Sequence, residues 1–232
     1  MTYFGWISIG IFVIGIIVKF VSWLQTPNPL NIPTQPAPLD KGGVVVRILK
    51  EVFLFNSLYK ADKYLWLGGW IFHVSFLIIV IRHLRYFVYP VPGIIVALEP
   101  LGVLAGFTLC LSIGFLFFRR IVSDRNFYIS SFMDYAILIL LLLIGITGIT
   151  MRYVHRPMLV DIKAFTLGLV HLDPSSTPAD LMFKIHFTLV MLLLIYFPFS
   201  KLLHAPGVFL SPTRALPDNP REVRHVNPWD KS

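Results

Sequence analysis

Charge is what this 232-residue chain lacks: only 14% of its residues are Asp, Glu, Lys or Arg, where a soluble domain carries about 25%. That is too little polar surface to cover a water-soluble fold. An ordinary soluble enzyme, a nucleic-acid-binding protein and a disordered adaptor are all excluded. Cysteine is nearly absent too. The single Cys110 excludes an intramolecular disulfide, a cysteine-based zinc site and an iron–sulfur cluster of the chain's own. Any redox chemistry here needs another cofactor. The first apolar run has no basic stretch before it and no small-residue cleavage pattern after it, so it does not read as a secretory signal. Strand-like alternation is missing, which argues against a membrane barrel.

Apolar residues fill the chain instead: 56% are hydrophobic and 15% aromatic, and mean hydropathy is +0.74. Crossing a bilayer as helix takes roughly 20 such residues. Five stretches are long enough: 3–24, 64–89, 98–118, 131–153 and 181–203. The sequence therefore predicts an all-α integral membrane protein, a five-transmembrane-helix bundle over residues 1–204. A Pro-rich, non-helical tail follows over 205–232. No internal repeat is visible.

Basic residues orient the bundle. The net charge of +8 reflects the excess of Lys and Arg that membrane proteins keep on the cytoplasmic side. Fourteen of the twenty Lys and Arg fall on the side holding the 25–63 loop, the 119–130 loop and the tail. Arg82, Arg85, Arg152, Arg156, Lys163 and Lys184 make up the other six. A multi-pass protein of the cytoplasmic (inner) membrane is expected, with its N-terminus outside and its C-terminus in the cytoplasm. Residues 25–41 should be irregular. Residues 43–60 mix apolar and basic positions at helical spacing. They read either as an amphipathic helix in the membrane interface or as a docking surface for a partner. The 153–180 segment, also partly amphipathic, is expected on the outer surface.

Ionisable residues at membrane depth are costly and mark function. Of the seven His, His155, His171 and His225 read as surface residues. His73 and His83 belong to the second span, and His186 and His204 to the fifth. The two spans run in opposite directions, so two level pairs result: His83 with His186 near the outside, and His73 with His204 near the cytoplasm. Neutral imidazole is a good axial ligand for haem iron, and each pair suits one macrocycle clamped from both faces. The offsets are unequal: ten residues of helix rise about 15 Å and eighteen about 27 Å. Tilt, or a bend at Pro198, has to absorb the difference. Eighteen residues return to the same helix face, whereas ten do not. Gly68, Gly69, Gly145 and Gly148 allow either close approach of a flat macrocycle or plain helix packing. Asp134 reads as a cap or a snorkelling carboxylate.

The pair of His ten apart on the second span, with the pair eighteen apart on the fifth, resembles the cytochrome b (gamma) subunit of respiratory nitrate reductase. FSKLLHAPGVFLSPTR (199–214), RHVNPWD (224–230), LKEVFLFNSLYKADKYLW (49–66) and GITMRY (148–153) resemble its DsrM-type branch, from the DsrMKJOP sulfite-reductase-linked complex. The cytochrome b of membrane-bound heterodisulfide reductase is a close competitor. The resemblance implies two b haems, His83 and His186 on the outer iron, and His73 and His204 on the inner. It also implies electron transfer between a membrane quinone, menaquinone above all, and a cytoplasmic iron–sulfur subunit of DsrK type. That subunit would dock on the 25–63 loop and the tail, beside other membrane and periplasmic subunits. The nitrate reductase subunit has a quinone-site Lys near the start of its third span; here 98–118 holds only Glu99 as a charged residue.

A polar rim is expected near the outer haem, made by Arg82, Arg85, Tyr86 and Tyr89 at the end of the second span and by Arg152 and Tyr153 at the end of the fourth. It can orient a quinone, meet haem propionates, or form an interfacial belt. The competing classes are a stand-alone transmembrane electron carrier and a haem-free transporter or anchor.

Overall fold

The computed structural model describes residues 1–27, 32–174, 176–211 and 213–218. The expectations for Pro212 and for 219–232, including His225 and the NPWD end, lie outside the described residues. Everything regular among the described residues is helical. In chain order the helices are α1 (Thr2–Gln25), α2 (Lys41–Leu54), α3 (Asn56–Ala61), α4 (Lys63–His83), α5 (Gly93–Ala97), α6 (Glu99–Val122), α7 (Asp124–Ile129), α8 (Phe132–Thr150), α9 (Leu159–His171), α10 (Leu181–Tyr196) and α11 (His204–Gly207). Short 3-10 turns occupy Leu84–Tyr86, Phe197–Phe199, Lys201–Leu203 and Val208–Leu210, and a π-helical turn continues α8 over Met151–His155.

Five helical stretches are apolar and long enough to cross a membrane: Thr2–Gln25, Lys63–Tyr86, Glu99–Val122, Phe132–His155 and Leu181–Phe199. A 24-residue helix rises about 36 Å, enough for a hydrocarbon core of about 30 Å. Capping sets several boundaries. Asp62 caps α4 by accepting from Leu65 N–H at 2.9 Å, and Asp180 caps α10 by accepting from Phe183 N–H at 2.7 Å. Ser131 and Asp134 form a capping box at the start of α8. The second span is shorter than 64–89, because Pro90 and Pro92 follow and the residue before a proline disfavours helix. The third runs on to Val122, where Arg119 and Arg120 suit the negative end of the helix.

Neighbouring helices form an open arc. α4 packs on α6, α6 on α8, α8 on α10, and α10 on α1, but α4 and α10 do not pack closely on each other. Small residues make the close contacts, as membrane helices without a hydrophobic driving force require. A Cβ on Gly15 would lie 2.6 Å from Pro198 Cβ, and one on Gly68 would lie 2.5 Å from the Phe115 ring. Gly68 therefore serves the α4–α6 contact rather than a macrocycle. Leu109, Ile113, Leu141 and Leu193 fill the centre.

Two expectations change, and a third segment gains a buried face. The 43–60 segment is two helices, broken at Phe55, whose φ of 49° is left-handed. The helix over 159–171 is two-faced: it buries Ile162, Phe165 and Leu169 against Phe183, Phe187 and Met191, while Leu159, Val160, Asp161 and Val170 stay exposed. Trp6 Nε1 donates to the Leu169 carbonyl at 3.0 Å, and Thr166 Oγ1 to the Tyr86 carbonyl at 2.6 Å, which ties α9 across the end of the bundle. The start of the tail is helical, since Pro206 falls in the first turn of α11, where proline is tolerated.

The segment after His204 folds back toward α2. Thr34 N–H donates to the Thr213 carbonyl at 2.8 Å, Asp218 N–H to the Pro38 carbonyl at 2.6 Å, and Arg214 lies 3.9 Å from Glu51. The indoles of Trp66 and Trp70 donate to the Leu54 and Phe53 carbonyls at 2.7 and 3.0 Å. These bonds satisfy orphan acceptors at the end of α2 and hold Phe55 beside His73.

Candidate functional site

The four span histidines come together as two pairs. The rings of His83 and His186 face each other across the gap between α4 and α10, with centres 6.4 Å apart and planes 17° from parallel. His73 and His204 stand 5.8 Å apart with planes at 88°. The level match does not come from two straight helices. Regular helix ends at Tyr196, buried Pro198 starts a 3-10 turn, and Ser200 is extended before the turn that delivers His204. The helix-face argument for the eighteen-residue spacing therefore does not apply, because His204 is not on the helix that carries His186.

Each ring already has a partner on Nδ1. His73 Nδ1 meets the Gly69 carbonyl at 2.7 Å, His83 Nδ1 the Ile79 carbonyl at 2.7 Å, and His204 Nδ1 the Lys201 carbonyl at 2.9 Å. His186 Nδ1 meets Thr147 Oγ1 at 2.9 Å. A carbonyl can only accept, so the first three rings carry their proton on Nδ1. His186 also has the Ile144 carbonyl as a hydrogen-bond partner, so this ring too donates, with Thr147 Oγ1 beside it. All four rings thus keep Nε2 as a free lone pair, the arrangement found in metal-ligating histidines. No group of three or more His, Cys, Asp or Glu suited to a metal ion exists among the described residues. Two imidazoles and no third protein ligand fit a macrocycle that brings its own equatorial donors.

Distances agree with that fit. Two imidazoles bonded through Nε2 to one metal, at about 2 Å each, hold their ring centres about 6.3 Å apart. The outer pair matches, and the inner pair is about half an ångström closer. Phe55 and Phe72 stand edge-on to His73, each 4.9 Å from its ring centre, while His204 is exposed.

His83 and His186 themselves line a cavity of about 1000 Å³ walled by α4, α6, α8 and α10, at the upper end for a small-molecule site. Gly102, Gly106, Gly145 and Gly148 expose backbone along it. A Cβ on Gly148 would lie 3.4 Å from His186 Cε1, whereas one on Gly145 would strike Cys110 Sγ at 2.6 Å. Gly148 thus sits closest to the outer ligand.

The rim residues differ in role. Arg82, Arg85, Tyr86, Arg152 and Tyr153 all line the cavity, and Arg156 joins them. Arg82 is committed to structure: it donates to the Ile95 carbonyl of α5 and lies 3.7 Å from Glu99. Arg152 holds the other Glu99 oxygen at 2.8 Å. Arg85 has no ion-pair partner among the described residues and lies over the Tyr86 ring at 5.7 Å. Tyr89 is 80% exposed, lies under Lys163, and does not line the cavity. The helix had ended before it.

Residues 43–225 match the family model of the nitrate reductase gamma subunit. The chain belongs to that family. It is 38% identical to a protein of Archaeoglobus profundus named Hdr-like menaquinol oxidoreductase cytochrome b-like subunit, across 97% of this chain and 81% of that one. A protein of the same name from Archaeoglobus fulgidus is 36% identical over the same shares. These names accord with the DsrM-type resemblance read from the sequence. Within this gamma-subunit fold, Thr147 and Arg156 were missed in the sequence. Thr147 is 39 positions from the histidine it supports, and no local pattern links them.

Proposed function

We propose that the chain is a di-haem cytochrome b that carries electrons between membrane menaquinone and a cytoplasmic iron–sulfur partner. The observation carrying this reading is the two facing imidazole pairs with every Nδ1 engaged. His83 and His186 would hold an outer haem, and His73 and His204 an inner one. A bound haem supplies one-electron chemistry at iron, and two axial imidazoles favour electron transfer over oxygen binding. The chain's own part is to hold the rings and exclude water. The offset of about 15 Å along α4 from His73 to His83 separates the two haems across the bilayer. The arginine-rich cavity takes the quinone head-group, with Arg85 as a donor to a carbonyl, and its apolar wall takes the prenyl chain.

The names of the Archaeoglobus relatives support the quinol link and a multi-subunit complex. The basic bias supports a cytoplasmic C-terminus and an outer N-terminus. The iron–sulfur partner is a DsrK-type, heterodisulfide-reductase-like subunit meeting the 25–63 loop and the tail beyond residue 204, as part of dissimilatory sulfur metabolism. A reduced-minus-oxidised spectrum of the purified complex tests the core of this reading. Two b haems per chain, both reduced by a menaquinol analogue, with an iron–sulfur protein retained, are expected. A spectrum without a b-type signal would contradict it.

A further inference from the structure

Resting on that reading, we infer that Glu99 is the proton acceptor for quinol oxidation at the outer cavity. Oxidising a hydroquinone requires a base at each O–H, and the cavity wall has few. Arg82, Arg85, Arg152 and Arg156 line it, and a guanidinium stays protonated. The two imidazoles have Nδ1 engaged in hydrogen bonds, and their Nε2 atoms would be taken by the iron. Tyr86 and Tyr153 are donors at neutral pH. Glu99 is the one carboxylate among the lining residues.

Its placement suits the task. Arg152 fixes Oε1 at 2.8 Å, while Oε2 stands 3.7 Å from Arg82, beyond hydrogen-bond reach. One oxygen is therefore oriented and the other remains able to accept. The side chain is 42% exposed, so it reaches both the cavity and the outside of the bundle. In the step, a hydroquinone O–H bond breaks and its proton passes to Glu99 Oε2. One electron would go to the iron of the haem that His83 and His186 would hold. Glu99 discharges to the outer water as that electron moves on to the inner haem. The second proton and electron follow the same routes and leave the quinone. General-base catalysis is worth about 10²–10⁴ in rate.

The test uses the intact complex and a water-soluble naphthoquinol. Glu99→Gln keeps an acceptor for Arg152 but cannot take a proton. The variant should keep both haems reducible by dithionite and bind naphthoquinone within about twofold, read by tryptophan fluorescence. Its naphthoquinol-driven haem reduction should fall about 100-fold, and Glu99→Asp should recover much of the rate. A wild-type rate in Glu99→Gln overturns the assignment. So does a loss of naphthoquinone binding as large as the loss of rate, since that marks Glu99 as only a tie between Arg82 and Arg152. Failure of the unaltered complex to accept electrons from naphthoquinol overturns the quinol-oxidation reading itself, and the inference with it.

Discussion

Thr147→Val offers a focused probe of the outer site. Three of the four histidines rest their Nδ1 protons on main-chain carbonyls, which no side-chain substitution removes. His186 alone also has a side-chain partner, Thr147 Oγ1 at 2.9 Å, beside the Ile144 carbonyl. Thr147 is 9% exposed, and valine has nearly its shape, so the change deletes an acceptor without opening a cavity. With the Ile144 carbonyl still in place, loss of one hydrogen bond costs about 0.5–1.5 kcal/mol. Loss of an outer-shell partner lowers metal affinity about 10- to 100-fold, which is about 1.4–2.8 kcal/mol. The two ranges meet near the tenfold end. Titration of haem into the haem-depleted protein should show the outer site weakened by that factor and the inner site unchanged. Thr147→Ser should bind normally. Affinity within about twofold of wild type in Thr147→Val would refute the claim that this hydrogen bond orients the ligand.

The remaining predictions concern the end of the bundle that carries His73 and His204. Asp134 is buried at the start of α8 and holds Lys201 at 2.7 Å, on the turn whose carbonyl carries His204. Asp134→Asn should cost about 1–3 kcal/mol, read by thermal unfolding in detergent. It should change the paramagnetic-resonance signal of the inner haem and leave that of the outer haem alone. Asp62 lies outside the spans, and the Leu65 N–H, with Arg119 at 2.7 Å, holds its carboxyl below the ordinary value of 3.8. A depressed carboxyl adds stability above its unfolded pKa and loses it as pH falls through the folded one. The Tm advantage of wild type over Asp62→Asn should therefore be present at neutral pH and close below pH 3.8; a gap that stays constant to lower pH contradicts the ion-pair account. A periplasm-dependent reporter fused after Ser232 should be silent, and activity there would invert the assigned orientation.

The spans were legible because length and apolarity at about 20 residues leave few alternatives to a membrane helix. The histidine pairs were legible because imidazole at that depth is rare and the two spans had to be antiparallel. Other features depended on tertiary packing. Pro198 signalled a bend, but not that the chain would leave the helix, turn twice and present His204 from a separate segment. The stretch over 159–171 showed a helical pattern, yet only the buried cluster around Phe165 reveals which face packs on the bundle. Arg82 and Arg152 read as anchors or quinone ligands, while their joint hold on Glu99 required the approach of α4, α6 and the end of α8. Tyr89 was placed one turn too far along a helix that its neighbouring prolines had already ended.

Haem occupancy in single histidine variants tests the central claim most directly. His83→Ala and His186→Ala should each lose the same outer haem, and His73→Ala and His204→Ala the same inner one. In every variant the haem-to-chain ratio should drop from about two to about one. Loss of different haems by the two members of a facing pair, or full occupancy in any of the four, would contradict the account.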